Sequence, residues 1–321
     1  MNRTMKLWLT VAASLVFVGG VLFGIVMLLT GGDLMKLSNG DHEMNSYDVG
    51  GEFRNIFVQA KDADVLFLPS EDGSCRVVCD EAQRLKYSVS VENGTLSVRP
   101  VDARRWYEYI SWFSPEKQVT VYLPAVEYGA LAVEGSTGDI EISARFMFAS
   151  VDASVGTGDV RCYASASGEV KIKTATGSAC VEGISVGSLA LSTSTGSASA
   201  SDILCAGDVT VGVSTGSAQL KNVQCANAFL SGGTGTIHLQ NVIAEQNLRI
   251  ENGTGDVHLD GCDAAEIFAK ASTGDITGTL YSGKIFVTDS STGRIDVPAS
   301  APGGRCELYT TTGDIQIIIQ P

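Results

Sequence analysis

At 321 residues the chain is long enough for one large β domain or two smaller ones. Charged residues make up only 18% of it, 36 residues are glycine, and the formal net charge is −14. That balance repels nucleic acid and no basic cluster offsets it, so a nucleic-acid partner is excluded. An acidic surface rich in Gly, Ser and Thr suits a body standing outside a cell.

Residues 1–6 carry Arg3 and Lys6, and no charge follows from Leu7 to Gly32. The stretch 7–30 is almost wholly apolar. At about 1.5 Å per helical residue it is about 36 Å long, enough to cross a bilayer with some tilt. A cleaved signal peptide has a shorter apolar stretch and a small-residue cleavage site, which is not found here. The expectation is a single-pass anchor with a cytoplasmic tail at 1–6, a linker at 31–47, and everything beyond it outside the cell membrane.

Residues 48–130 read as a β region that caps one end of the remaining chain, residues 131–321. Ile56, Val58, Val65 and Phe67 alternate as an early rung, with Ala63 at its corner. Tyr87–Val91 and Leu96–Arg99 form a hairpin around Asn93-Gly94, a strong two-residue turn signal. Val119–Leu123 returns as a strand. Between these lies an unusual segment with Arg104, Arg105, Trp106, Tyr107, Tyr109, Trp112 and Phe113. Such clusters serve as binding hot spots or as aromatic belts at membrane interfaces; the plainer alternative is a lid folded over the first rung.

From residue 131 to 321 the dipeptide Thr-Gly recurs ten times in register, with glycines at Gly138, Gly158, Gly177, Gly196, Gly216, Gly235, Gly255, Gly274, Gly293 and Gly313; Thr277-Gly278 falls outside the series. The gaps are only 19 or 20 residues, the mark of a solenoid. Seven and five residues before each glycine, and two and four after it, the positions are mostly apolar, as in Leu131, Val133, Ile140 and Ile142. Spacing by two is strand alternation with one face buried. A third apolar pair appears in the middle units, as in Ile203 and Cys205. It is preceded by Gly183, Asp202, Asn222, Asn241 or Gly261, residue types that tolerate a left-handed corner. Each turn therefore has three short strands, with the Thr-Gly glycine making a second tight corner and its threonine placed to form a hydroxyl ladder. The fold class is all-β: a three-sided parallel β-helix of about ten rungs, about 45 Å long. With Ile315, Ile317 and Ile319 forming the last rung, the far end is expected to be an open edge.

The anchor, the blocks Ala63-Asp64-Val65, Val91–Leu96 and Val121-Tyr122-Leu123-Pro124, and the serial Thr-Gly-Asp-Val/Ile units together resemble the bacterial "putative adhesin" family of β-strand repeats. The resemblance covers about residues 48–321. It implies an extracytoplasmic, commonly membrane-tethered β-helix, with members linked to cell-envelope stress operons. It supplies no catalytic residues and no cofactor. Several central units depart from the motif, with Ser178, Ser197, Ser217 or Thr236 where Asp follows the glycine.

Candidate chemistry is sparse. Asp139 with Asp159, and Asp256 with Asp275, stand on neighbouring rungs and could hold Ca²⁺ or act as an acid/base pair, yet Asp after Gly is ordinary turn chemistry. His238 and His258 stack on adjacent rungs without enough further ligands for a metal site. Gly183–Gly187 matches the letters of a nucleophile elbow but lacks its strand-turn-helix setting. Eight cysteines sit mostly at small buried positions; only Cys205 and Cys225, one rung apart, invite a disulfide. The expected function is a non-catalytic, membrane-tethered adhesin, scaffold or envelope-stress partner with an envelope protein or surface glycan as its contact. The alternative is a polysaccharide lyase or hydrolase, supported by fold analogy alone.

Overall fold

The computed structural model describes residues 3–31, 42–82, 85–102 and 117–320. Among them there is one helix, Arg3–Thr30, followed by 25 strands in a single sheet. Within the helix, Met5–Leu29 is apolar and long enough to cross a membrane, and none of it is buried against the rest of the molecule. Its two hydroxyls are satisfied internally: Thr10 Oγ1 donates to the Lys6 carbonyl at 2.9 Å and Ser14 Oγ to that of Thr10 at 2.8 Å. That is what a helix needs where no water is at hand.

The repeats wind into a parallel β-solenoid, each Thr-Gly threonine lying in register with that of the next turn. Thr157 faces Thr137 on one side and Thr176 on the other. One side of a turn runs into the corner, as in Ser185–Thr195, and the next starts three residues later, as in Ala198–Cys205. The alternating apolar positions meet inside, where Val151 lies between Leu131 and Val170 and all three are at most 1% exposed. One continuous core runs from Ile56 to Ile317. Each fully buried Val, Leu or Ile in it contributes about 1.5–3 kcal/mol of transfer free energy. Because a turn touches only its neighbours, this stabilisation is exchanged between adjacent rungs.

The second corner is left-handed where Asx or Gly was expected: φ is 57° at Asp202, 53° at Asn222 and Asn241, and 66° at Gly183. There the side chains stack into a ladder. Asn222 Nδ2 donates to Asp202 Oδ1 at 2.7 Å and Asn241 Nδ2 to Asn222 Oδ1 at 3.0 Å. A parallel ladder joins Asp208, Asn227 and Asn247, each step 2.8 Å.

At the N-terminal end Asn55–Asp62 and Asp64–Pro69 form the next rung, with Ile56 opposite Leu131 and Val65 opposite Ile140. Thr95–Asp102 and Gln118–Leu123 stack outside them in parallel. The direction then reverses. Leu85–Glu92 runs antiparallel to Thr95–Asp102 around the Asn93-Gly94 turn, where φ is 51° and 71°, as a type I′ hairpin requires. Arg76–Ala82 runs antiparallel to Gln118–Leu123, and His42–Asp48 runs antiparallel to Arg76–Ala82. Glu81 fastens this layer, its side chain fully buried beneath Tyr47, Asn45 and Lys86. Reversing direction and burying a bonded carboxylate blunts an edge that would otherwise pair with other chains.

The C-terminal end departs from the order expected of serial repeats. Arg305–Thr312 pairs with Glu266–Thr273 on one side and Ile285–Thr292 on the other, and Ile315–Ile319 likewise lies between Ile276–Leu280 and Ile295–Asp296. The Gly313 turn therefore lies inside the Gly293 turn. Ile315 and Ile317, expected at an edge, are 0% and 3% exposed, while Ile285 and Ile295 on the true edge rung are 50% and 40% exposed. The physical reason is composition: the inward slots of the Gly293 turn include Thr288 and Ser290, which lose less at a wet edge than Leu308 and Ile317 would.

Leading into the edge rung, Lys284 is buried with its Nζ 2.6 Å from Asp263 Oδ1 and donating to the Ala264 carbonyl. Asp263→Ala is expected to cost about 3 kcal/mol, because it strands a buried ammonium. Lys284→Met, which removes the cation and keeps the stem, is expected to cost clearly less. Urea unfolding of the two variants distinguishes a paired charge from simple packing; equal losses would contradict the ion-pair account.

Candidate functional site

The aromatic segment Arg104, Arg105, Trp106, Tyr107, Tyr109, Trp112 and Phe113 lies outside the described residues, but its roots do not. The chain leaves Thr95–Asp102 and re-enters at Gln118–Leu123, the two strands of the outermost N-terminal rung in parallel register. Lys117 is buried, and its carbonyl accepts the Asp64 amide at 2.8 Å. The Ala63 amide in turn donates to Thr137, and that of Gly138 to Thr157. Lys117, the first described residue after the segment, thus joins the column of amide–carbonyl bonds that runs on through the Thr-Gly corners.

Along that column the ten glycines have φ from 121° at Gly138 to 158° at Gly293. This mirror-β region is essentially reserved for glycine. A Cβ at Gly216 would stand 1.8 Å from the Gly196 carbonyl oxygen. The glycine carbonyls accept from side chains that stand three residues before the Thr-Gly glycine of the same turn or of the neighbouring turn. Thr174 and Thr193 both donate to Gly177, Asn252 to Gly235 and Gly255, and Thr310 to Gly274, at 2.8–3.1 Å. The hydroxyl contacts at this corner therefore come two residues before the Thr-Gly threonine, on an inward position that alternation assigns to apolar residues.

The carboxylates after the glycines are occupied. Asp139 Oδ1 accepts the Asp159 amide, Asp159 Oδ1 the Ser178 amide, and Asp256 Oδ1 the Asp275 amide, at 2.8–2.9 Å. Arg161 then clamps the first pair, 3.1 Å from Asp139 and 2.6 Å from Asp159. Its guanidinium is held even more firmly protonated than usual by the Asp139 hydrogen bond and both charges. The geometry is that of turn residues tied to the next rung.

His238 and His258 face each other edge-on at 5.9 Å. His238 Nε2 lies 2.9 Å from Asp260 and His258 Nδ1 2.8 Å from Thr277 Oγ1. Among the described residues no group of three or more His, Cys, Asp or Glu is arranged to hold a metal. Ser185 stands in a strand, its amide bonded to Ser165 Oγ, with none of the setting of a nucleophile elbow.

All eight cysteines are free thiols, Cys205 and Cys225 included. Cys205 Sγ donates instead to the Gly187 and Asp208 carbonyls, and Cys225 Sγ to that of Ile243. Burial pushes the thiols of Cys79, Cys162, Cys225, Cys262 and Cys306 up to about 12. Such thiols are inert at neutral pH. Beside Cys205 and Cys225 runs a shallow groove of about 590 Å³, lined by Met147, Val186, Leu204 and Ile243. Sequence alternation missed it because Met147 and Leu204 occupy outward positions.

A family model described as Toastrack DUF4097 matches residues 53–211 and 185–320. No curated protein matches the chain. Among solved structures, a "putative adhesin" from Parabacteroides distasonis ATCC 8503 is 14% identical with a TM-score of 0.50, the match covering 88% of this chain and 98% of that one. A "putative adhesin" from Bacteroides fragilis NCTC 9343 is 14% identical with a TM-score of 0.41, covering 88% and 99%. A "putative lipid binding protein" from Parabacteroides distasonis ATCC 8503 is 16% identical with a TM-score of 0.44, covering 88% and 98%. At such identities the likeness concerns fold alone.

Proposed function

We propose, for a chain that belongs to the Toastrack DUF4097 family, a non-catalytic role: an extracytoplasmic β-helix tethered to the membrane and acting at the cell surface as adhesin, scaffold or envelope-stress partner. The observation that carries this reading is the joining of an unburied apolar helix, Met5–Leu29, to a rod whose outward polar columns bond largely to one another. In this reading Arg3 and Lys6 hold the N-terminus on the cytoplasmic side. Residues 31–47 link the span to the 48–130 region, and the repeats of 131–321 extend outward. The segment Arg104–Phe113 is the contact site, its two ends at the last parallel rung before the antiparallel N-terminal layer.

The carbohydrate-active alternative needs an acid free to exchange its proton with a substrate. Asp139 and Asp159 are committed to Arg161 and to backbone amides, which favours binding over turnover.

Affinity capture from native membranes and cell wall, with the full chain as bait and the Trp106→Ala/Trp112→Ala variant as control, tests the reading. One envelope protein or glycan recovered by the parent chain and lost with the variant, at unchanged melting temperature, is the expected result. A lowered melting temperature with binding retained would make the segment a lid instead. Recovery of nothing specific by either chain would leave a passive scaffold.

A further inference from the structure

Three of the aromatic side chains of the repeats stand close together on the outward surface: Phe229, Phe268 and Tyr309. On the outward face of the side leading into the Thr-Gly corner, Phe229, Arg249 and Phe268 stand in register on three consecutive turns, with Glu307 next. The Arg249 guanidinium lies 4.2 Å over the Phe268 ring, and the Tyr309 ring is 5.9 Å from Phe268 at a 49° tilt. Two residues upstream of Arg249, Phe268 and Glu307 on the same turns stand Asn247, Glu266 and Arg305. All of these but Tyr309 line a recess of about 190 Å³.

The polar rim has both fixed and spare valences. Glu307 is held by Arg305 Nε at 3.0 Å and by the Tyr309 hydroxyl at 2.8 Å, and Arg249 is paired with Glu251. Asn247 spends its amide nitrogen on Asn227, which leaves its Oδ1 at the head of the asparagine ladder, beside the recess. The exposed Glu266 carboxylate lines the same recess. Charge is nearly balanced locally, with Arg249, Lys270 and Arg305 set against Glu251, Glu266, Glu307 and Asp289, although the chain as a whole carries −14.

We propose that this recess binds a single neutral pyranose ring of a surface glycan. Such a ring has an apolar C–H face and a rim of vicinal hydroxyls. The face matches the Phe229 ring and whatever of Phe268 the Arg249 guanidinium leaves uncovered. The hydroxyls match the Glu266 carboxylate, the Asn247 carbonyl and the Arg305 guanidinium, whose charged groups make the stronger hydrogen bonds. The volume falls below the roughly 300 Å³ at which pockets for larger ligands begin, so one ring fits and an oligosaccharide would extend along the rod. Nearly balanced local charge on an acidic chain disfavours an acidic sugar. The recess is lined by described residues of the repeats alone, and the proposal does not rest on the role given to the Arg104–Phe113 segment.

Saturation-transfer NMR on the full chain, held in a detergent without a sugar headgroup, tests this with the methyl glycosides of glucose, galactose, mannose and N-acetylglucosamine, and with methyl glucuronide. Ring protons of at least one neutral glycoside should receive saturation, and the glucuronide should not. Phe268→Ala should weaken the binding at least tenfold, and Glu266→Gln, at an exposed position that leaves the fold alone, should weaken it several-fold. No transfer to any neutral glycoside overturns the proposal, as does binding that survives both Phe268→Ala and Glu266→Gln. Binding lost only with the tryptophan variant would move the sugar site to the aromatic segment and overturn it equally.

Discussion

Gly216→Val is expected to prevent the rod from folding as one cooperative unit. Two costs add at this position. Its φ of 135° lies where a side chain is strained whatever space surrounds it. The new Cβ would also lie 1.8 Å from the Gly196 carbonyl oxygen, a backbone atom that cannot rotate away. Nor can the turn shift along the rod, because a Cβ at Gly235 would stand equally close to the Gly216 carbonyl, so the spacing is tight on both sides. The loss should exceed about 4 kcal/mol, which places it among the rare severe substitutions. Gly212→Ala, four residues away, is the matched control. There φ is ordinary and the nearest atom to a new Cβ is Ser231 Oγ at 3.5 Å, so the change should be neutral or stabilise by up to about 1 kcal/mol. Thermal unfolding followed by circular dichroism separates the two, and an unchanged melting temperature for Gly216→Val would contradict the close-stacked corner.

The corner also shows how far the sequence could be read. The period of the glycines fixes turn length, and alternation fixes which residues of Leu131–Ile142 face inward, because both follow from backbone geometry alone. The Asx corners at Asp202, Asn222 and Asn241 were legible for the same reason: few side chains tolerate a left-handed φ. Thr174, Thr193 and Asn252 were not legible as caps, since an inward polar residue reads as a weak core residue until the carbonyl it serves is located. The exchange of the last two turns was hidden because neighbouring repeats share a pattern and only pairing energies rank them. Thr288 and Ser290 were the available signal. The Phe229–Phe268 cluster was hidden too, its members being two turns apart in sequence and brought together only by register. The segment Arg104–Phe113, conspicuous in the sequence, falls outside the described residues.

At the other end of the rod, replacing Glu81 should weaken folding in a way that depends on pH. Its carboxylate accepts the Tyr47 hydroxyl at 2.7 Å, the Tyr87 amide at 2.8 Å and the Asn45 amide at 2.7 Å, with Lys86 Nζ 3.3 Å away. Burial by itself pushes the carboxyl upward, but these donors together outweigh it and leave it below the usual glutamate value. Tyr47 moves the other way: burial, then its bond to Glu81, push the phenol up to about 12, so it remains a donor throughout the neutral range. A carboxyl lowered on folding contributes stability that is complete above the unfolded value of about 4.3 and is lost as pH falls through the folded one. Glu81→Ala at pH 7 should therefore cost about 3 kcal/mol, since it removes a buried acceptor and strands donors on two strands. Glu81→Gln keeps the volume but turns an N–H₂ group toward donors, so it should still lose stability at pH 7 while no longer titrating. Melting curves of parent and Gln variant should converge as pH drops below the ordinary glutamate range. Curves that stay parallel from neutral to acid pH would mean that the clip between His42–Asp48 and Arg76–Ala82 rests on packing and not on the charge.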